Sequence, residues 1–210
     1  IMPVSILGGL VAAYKKDSWI DRLIVNTGLA FSAIPDFVAG VFLLAFLAVP
    51  FEFFKVQASA PPGSGPLVQI QHLLLPVIAV LMVYFGYIAR ITRAGTITAL
   101  DSDYARTAFM RGLSTGRVFR KHIARNALQP TVAVLGTQLG YLFGGMVALE
   151  IVFAYQGVGN LIIRAVQRAD YPVLRAGVLT VAIIYMLATL GADLLVAWMN
   201  PRARQTLGDN

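Results

Sequence analysis

Cysteine is absent from the 210-residue chain, and histidine occurs only twice, at His72 and His122. Disulfides, thiolate metal sites and a cysteine nucleophile are therefore excluded. The sequence also lacks the HExxH, GxSxG, GxxxxGK[ST] and GxGxxG patterns of zinc proteases, serine hydrolases and nucleotide-binding loops. We expect no catalytic residue, no metal ligand and no cofactor bound by this chain.

Charged residues are scarce as well. They make up 13% of the chain, against 58% hydrophobic residues, and the mean hydropathy is +0.73. A soluble domain carries about 25% charged residues, so a water-soluble fold of this length would lack the polar surface to cover itself. The composition predicts an all-α, polytopic membrane protein, and the net charge of +7 then reflects membrane topology instead of a nucleic-acid partner.

Apolar runs divide the chain into membrane spans, each of which needs about 20 helical residues. We predict a single transmembrane domain over residues 1–210. Its first apolar run, 1–13, is too short to cross alone, and we interpret it as the end of a span in an N-terminally truncated fragment. Complete spans are predicted at 28–51, 73–91, 128–153 and 172–199. Pro35 is expected to kink the first of them.

Basic residues favour one side of this predicted membrane. Thirteen lie in the first connection, between Arg90 and Arg125, or in the C-terminal tail. The other connections hold four: Lys55, Arg164, Arg168 and Arg175. Lys and Arg accumulate on the cytoplasmic side of membrane proteins, so we expect the first group and the C-terminus to be cytoplasmic.

One long polar stretch, which we call the basic segment, runs from Ala99 to Pro130. It holds six basic residues against Asp101 and Asp103, and its apolar residues are spaced as in short amphipathic helices. Gly112 and the cluster at 114–116 are expected to break it into two such helices. A basic, broken helix pair between two spans is typical of a docking element.

Small residues recur at four-residue spacing in the span that follows the basic segment. They are Gly136, Gly140 and Gly144. This spacing places them on one helix face that another helix can approach closely. Packing against a second subunit and packing within the chain's own bundle are both open interpretations.

Three carboxylates lie within or beside the predicted spans: Asp36, Glu150 and Asp193. Ionisable residues in membrane segments are candidates for a transport pathway by default. Each of them also has a plainer interpretation, as an interfacial carboxylate or one capped by a neighbouring group.

The basic segment resembles a known motif from Tyr104 to Pro130, YARTAFMRGLSTGRVFRKHIARNALQP. It is similar to the EAA-type coupling loop of inner-membrane permease subunits of bacterial binding-protein-dependent ABC importers, in the form of their dipeptide, oligopeptide and nickel branch. Arg106, Thr107 and Ala108 occupy the Glu-Ala-Ala positions, and Gly112 is the family glycine. The likeness continues through 147–179.

This resemblance implies a type I ABC importer permease fold with a cytoplasmic coupling segment at 99–127. The chain would form the translocation path for di- or oligopeptides or related solutes, such as nickel chelates or glutathione. Implied partners are a second homologous permease subunit, two cytoplasmic ATPases that bind ATP and magnesium, and a periplasmic or lipid-anchored solute-binding protein.

The resemblance also implies which residues dock in a cleft of the ATPase. They are Asp103, Tyr104, Arg106, Thr107, Ala108, Phe109, Arg111, Gly112 and Leu113. Tyr104, Ala108 and Phe109 would supply apolar contacts, and Arg106 and Arg111 polar ones. Gly112 would allow a tight turn where a side chain would clash.

Two other function classes compete with the importer. The first is an autonomous channel or secondary transporter that uses Asp36, Glu150 and Asp193 as ion or proton carriers. The second is a structural membrane subunit that associates through its glycine face and transports nothing. The basic segment argues against an autonomous carrier, because such a protein has no need to present a long docking element.

Overall fold

A computed structural model describes residues 1–119 and 123–199, which fold into helices and the connections between them. The helices are α1 (Met2–Tyr14), α2 (Trp19–Ser32), α3 (Asp36–Leu43, continued by a π-helical turn at Leu44–Ala48), α4 (Pro66–Leu100), α5 (Asp103–Met110), α6 (Thr115–Val118), α7 (Ala124–Ala127), α8 (Gln129–Gly145), α9 (Val147–Val152), α10 (Val158–Gln167) and α11 (Tyr171–Met199). The predicted all-α class is confirmed. The predicted basic tail at 200–204 lies outside the described residues.

Two of the described helices, α4 and α11, are long and apolar enough to cross a membrane alone. Each contains a window of mean hydropathy 2.1. The predicted span 172–199 coincides with α11 to within a residue, and 73–91 lies inside the longer α4. Helix α1 is apolar but has only 13 residues.

The predicted span 28–51 differs from the structure. Helix α2 already begins at Trp19, where the Ser18 hydroxyl accepts a hydrogen bond from the Asp21 amide at 3.3 Å. The chain then bends by 101° before α3. Pro35 explains the break, because proline has no amide hydrogen and disfavours helical geometry in the residue before it. The expected kink is therefore a sharp corner between two helices.

The predicted span 128–153 is also divided, since α8 ends at Gly145 and α9 begins at Val147. The 35-residue helix α4 organises the rest by contacting α1, α2, α3, α7 and α8. Glycines allow two of these contacts to be close. A side chain at Gly9 would collide with the backbone of Ala89, and one at Gly86 with the backbone of Gly28. Small residues let membrane helices approach backbone to backbone in this way.

A buried apolar cluster forms where α3, α4 and α9 meet, with Leu75, Ala79, Leu149 and Phe153 at its centre. Further along α4, the Thr92 hydroxyl lies 3.0 Å from the hydroxyl of Thr131 on α8, and both side chains are buried. Hydrogen bonding between the hydroxyls satisfies polar groups that burial would otherwise leave unpaired. This pair joins the α1–α2–α4 group to α8, which packs along α11.

Candidate functional site: the basic segment

The basic segment begins where α4 ends and the chain turns into α5. The Ser102 hydroxyl donates to the carbonyl of Ala99 at 2.6 Å and closes the turn. Asp103 then lies in the first turn of α5, where a carboxylate interacts favourably with the exposed amides of a helix N-terminus. The turn and the N-terminal carboxylate therefore define where α5 begins, directly after the 35-residue helix α4.

Small apolar side chains hold α5 in place from inside. Ala105 and Ala108 are 0% and 5% exposed, and they belong to one buried cluster with residues of α4, α6 and α7. The other members are Ala99, Val118, Ile123 and Ala127. Ala108 was expected to contact a partner, but it faces this cluster and supports the helix instead.

The opposite face of α5 is open. Asp103, Arg106 and Thr107 are exposed, and Met110 at the end of the helix is 85% exposed. These four residues follow the i, i+3, i+4, i+7 spacing of one helix face. Sequence reasoning missed Met110, although the spacing could have found it once Ala105 and Ala108 were assigned to the inner face.

Aromatic and basic residues flank this open face. Tyr104 and Phe109 are 41% and 39% exposed, and Arg111 is exposed just beyond the helix. A surface that mixes exposed apolar and cationic groups is typical of protein interfaces, where aromatic residues, Met and Arg are enriched. The structure thus groups most of the predicted docking residues on one accessible surface.

Gly112 ends α5 in the left-handed region, with φ at +73°. Its amide donates to the carbonyl of Phe109 at 2.9 Å, and half-buried Leu113 follows. A Cβ atom at Gly112 would meet nothing within 4 Å. Among the described residues, glycine is therefore favoured by the backbone conformation, while the expected lack of room against a partner stays a prediction.

The C-terminal part of the basic segment is tied to α11. The Arg125 guanidinium donates to the carbonyl of Trp198, and its carbon Cζ lies 5.1 Å from the centre of the Trp198 ring. The Gln129 amide donates to the carbonyl of Met199 at 3.2 Å. Cationic and amide donors stabilise the unpaired carbonyls at a helix C-terminus. Sequence reasoning did not anticipate this link across about 70 residues.

Comparison with known proteins identifies the family to which the chain belongs. Residues 5–205 match the family model described as "Binding-protein-dependent transport system inner membrane component". The chain belongs to this family. Its predicted type I ABC importer permease fold is thereby confirmed, as is its place among multi-pass inner membrane proteins.

Curated relatives agree with the family. The chain is 31% identical over 201 residues to a probable peptide ABC transporter permease protein of Sinorhizobium fredii, with 96% of this chain and 64% of that protein covered. It is 33% identical to a di/tripeptide transport system permease protein of Pseudomonas aeruginosa (95% and 65% covered). It is 35% identical to a glutathione transport system permease protein of Shigella flexneri (93% and 61% covered). The chain thus spans 61 to 65% of the length of these relatives.

In this inner membrane component, the glycine face of α8 is occupied within the chain. A Cβ atom at Gly136 would collide with the Ala192 side chain, and one at Gly140 with the ring of Tyr185, both on α11. This arrangement corresponds to packing within the chain's own bundle. The surroundings of Gly144 lie outside the described part of the structure.

Two of the three candidate pathway carboxylates interact with helix N-termini. The Glu150 carboxylate accepts a hydrogen bond from the backbone amide of Asn160 at 2.7 Å, at the start of α10. Asp36, at the start of α3, accepts one from the Phe37 amide at 2.7 Å. Asp193 is exposed on α11 and has no hydrogen-bond partner among the described residues. The structure does not bring the three together.

Gly157 and Gly159 explain how Glu150 reaches α10. A Cβ atom at Gly157 would collide with the Glu150 carboxylate, and one at Gly159 would lie 2.6 Å from a methyl group of Val147. The two glycines therefore leave room for the carboxylate beside the helix N-terminus, where negative charge is favoured. Among residues 1–119 and 123–199, no group of His, Asp and Glu side chains could hold a metal ion.

One ion pair of this inner membrane component was not foreseen. Arg93 on α4 donates from Nε and Nη2 to the two carboxylate oxygens of Asp21, each at 2.6 Å. Asp21 is 3% exposed and also accepts from the Asp17 amide at 2.9 Å. The pair clamps the start of α2 onto α4, six residues before the basic segment. No local pattern reveals a partner 72 residues away.

Proposed function

We propose that the protein is the transmembrane permease subunit of an ATP-driven importer of di- or oligopeptides or related solutes. It forms part of the translocation path and is coupled to a separate ATPase through the basic segment. Family membership and the printed functions of the relatives support this proposal. The single observation that carries the coupling role is the exposed face of α5, where Met110 is 85% exposed beside cationic and aromatic side chains.

The proposed complex contains a second homologous permease subunit, two cytoplasmic ATPases and a solute-binding protein outside the membrane. ATP and magnesium bind to the ATPases, because this chain lacks the phosphate-binding patterns that would hold them. The basic segment and the C-terminus face the cytoplasm, since thirteen of seventeen basic residues lie on that side.

The proposed mechanism follows from how α5 is held. The buried cluster fixes α5 to the end of α4, and Arg125 and Gln129 fix the other end of the basic segment to α11. A force that the ATPases exert on α5 during ATP binding is therefore transmitted to both long spans. ATP-driven closure can shift the permease between two states only by binding one of them more tightly, and the open face of α5 provides that contact.

The first test combines purification with a single substitution. The full-length chain, solubilised from its native membrane, is expected to co-purify with the ATPases and the second permease and to show ATPase activity. Met110→Asp places a charge on the open face of α5, at its most exposed apolar side chain. We expect the ATPase recovered per permease to fall at least about tenfold, as for an interface hot spot, whose loss costs about 2 kcal/mol or more.

The matched control is Lys16→Asp, which introduces the same side chain at an exposed position between α1 and α2. This variant is expected to recover the ATPase as the wild type does. Equal recovery of the ATPase with both variants would contradict the docking role of α5. Purification of the wild-type chain alone, without ATPase activity, would instead favour an autonomous carrier.

A further inference from the structure

A mostly apolar groove with a few polar side chains opens between α2, α4 and α8, beside the contact of Gly28 with Gly86. Its volume is about 420 Å³, within the roughly 300–1,000 Å³ of small-molecule sites. Leu29 and Val83 form apolar parts of the wall, and the polar lining includes Ser32, Tyr87, Arg90 and Gln138. No Asp or Glu lies among the residues that line it.

The two arginines of this part of α4 differ in their surroundings. Arg93 is bound to Asp21 by two hydrogen bonds. Arg90, three residues earlier, is exposed in the groove and makes no hydrogen bond or ion pair among the described residues. The Gln138 side chain also has no hydrogen-bond partner among them. Within the described part of the chain, the groove therefore presents the Arg90 guanidinium without a counter-charge, together with a Gln138 amide that has no hydrogen-bond partner.

We propose that this groove binds the carboxylate of a transported peptide. Arg90 pairs with the C-terminal carboxylate, and Gln138 hydrogen-bonds a peptide group. Tyr87 and the apolar wall contact the side chains. This inference rests on the proposed function, because it takes a peptide as the solute, and it adds the site at which the permease itself recognises that solute.

The chemistry of the groove fits this class of ligand. A guanidinium matches the two oxygens of a carboxylate in a bidentate arrangement. A glutamine amide can donate to a peptide carbonyl and accept from a peptide amide. Arg90 lies at the cytoplasmic end of the predicted span 73–91, so the groove is placed where a transported solute would leave the membrane.

The position of Arg90 on α4 also connects the groove to the open face of α5. Arg90 and Leu100 belong to the same continuous helix, and the ten residues between them correspond to about 15 Å. Helix α5 begins three residues after Leu100 and is fixed to α4 by the buried cluster. A displacement of α5 therefore moves Arg90, so that ATPase closure can change the groove's affinity for a carboxylate.

The test measures equilibrium binding to the complete permease–ATPase complex in nanodiscs of zwitterionic phosphatidylcholine, without the solute-binding protein. The probes are a radiolabelled dipeptide with a free C-terminus and the same dipeptide with a C-terminal amide. The wild-type complex is expected to bind the free acid about tenfold more tightly than the amide, as for loss of one charge-assisted contact. Arg90→Gln is expected to lose this preference, and Arg90→Lys to keep part of it.

Arg175→Gln is the matched control, because Arg175 on α11 is also exposed and has no partner among the described residues. This variant should keep the tenfold preference. Equal affinity of the wild type for acid and amide would overturn the proposal without any variant, and so would an unchanged preference in Arg90→Gln. Binding of neither peptide would overturn it too.

Native mass spectrometry of the same samples distinguishes the other source of an anionic group. A phospholipid retained by the wild type and lost in Arg90→Gln, with unchanged peptide affinity, would assign Arg90 to a lipid phosphate and refute the peptide site. The proposed function is judged separately, by peptide uptake with the solute-binding protein present. Uptake that is normal in Arg90→Gln would leave the importer role intact while the groove proposal fails.

Discussion

At the scale of single residues, the carboxylates acquire different roles from their local contacts. Glu150 accepts a hydrogen bond from the Asn160 amide at the start of α10, in the space that Gly157 and Gly159 leave open. Asp193 has no such partner among the described residues. Sequence alone ranks the two as equal candidates for a pathway, whereas the structure gives Glu150 a capping contact.

Glu150→Gln tests this capping contact. The glutamine keeps the size of the side chain and one acceptor oxygen but loses the charge at the helix N-terminus. We expect the free energy of unfolding to fall by about 1 kcal/mol, measured by thermal denaturation of the detergent-purified complex, and solute uptake per complex to remain normal.

Asp193→Asn is the control for Glu150→Gln, and we expect it to change neither stability nor uptake. An autonomous carrier would give a different result, because neutralising a carboxylate that carries ions or protons abolishes transport. Loss of uptake in either variant, with the complex assembled in normal amounts, would contradict the importer mechanism.

At the scale of elements, helix positions depend on a few close contacts. The clamp between Asp21 and Arg93 joins α2 to α4 where the chain approaches the basic segment. Removing one partner of a buried ion pair costs about 3–5 kcal/mol, because the other charge is left uncompensated. Since the Arg93 side chain is 24% exposed, water compensates part of this cost.

We therefore expect Asp21→Asn to lower the free energy of unfolding by about 2 kcal/mol. Asp17→Asn is the control. It makes the same chemical change at an exposed residue whose φ of +65° asparagine tolerates. The double variant Asp21→Asn with Arg93→Gln should regain part of the loss, because it removes both charges. Equal stability of the two single variants would show that the clamp contributes nothing.

At the scale of the whole molecule, the proposed orientation assigns opposite sides of the membrane to two exposed serines. Ser59 lies in the connection between α3 and α4, and Ser114 in the basic segment. The chain contains no cysteine, so Ser59→Cys and Ser114→Cys each introduce one thiol by a conservative change. A membrane-impermeant maleimide is expected to label Ser59→Cys in intact cells and Ser114→Cys only after permeabilisation.

Each variant serves as the control for the other, since reagent, expression and side chain are the same. Labelling of Ser114→Cys in intact cells, with Ser59→Cys protected, would reverse the orientation. The basic segment could not then reach cytoplasmic ATPases.

The unbroken spans α4 and α11 were the most predictable part of the fold. Hydropathy is a local property, and α11 follows the predicted 172–199 closely because a span needs only length and apolar composition. The corner at Pro35 was expected as a kink, but its angle of 101° depends on packing of α3 against α4 and α9, to which a local pattern gives no access.

The sequence predicted that a docking helix lies in the basic segment, but not which residues form the open face of α5. The motif from Tyr104 to Pro130 located α5 and the turn at Gly112. Whether Ala108 or Met110 faces outward depends on where Val118, Ile123 and Ala127 return to pack against α5. Those residues lie beyond the helix, so its own spacing alone did not settle the direction of its two faces.

Local composition and periodicity are enough to predict that this protein is helical, lies in the membrane and carries a basic segment between two spans, because both depend on neighbouring residues. Which polar groups are paired follows from the packing of distant helices. Arg93 meets Asp21 and Glu150 meets α10, whereas Arg90 stays open to a groove. These pairings join residues from separate helices, and their energies depend on distances that exist only once the helices are packed.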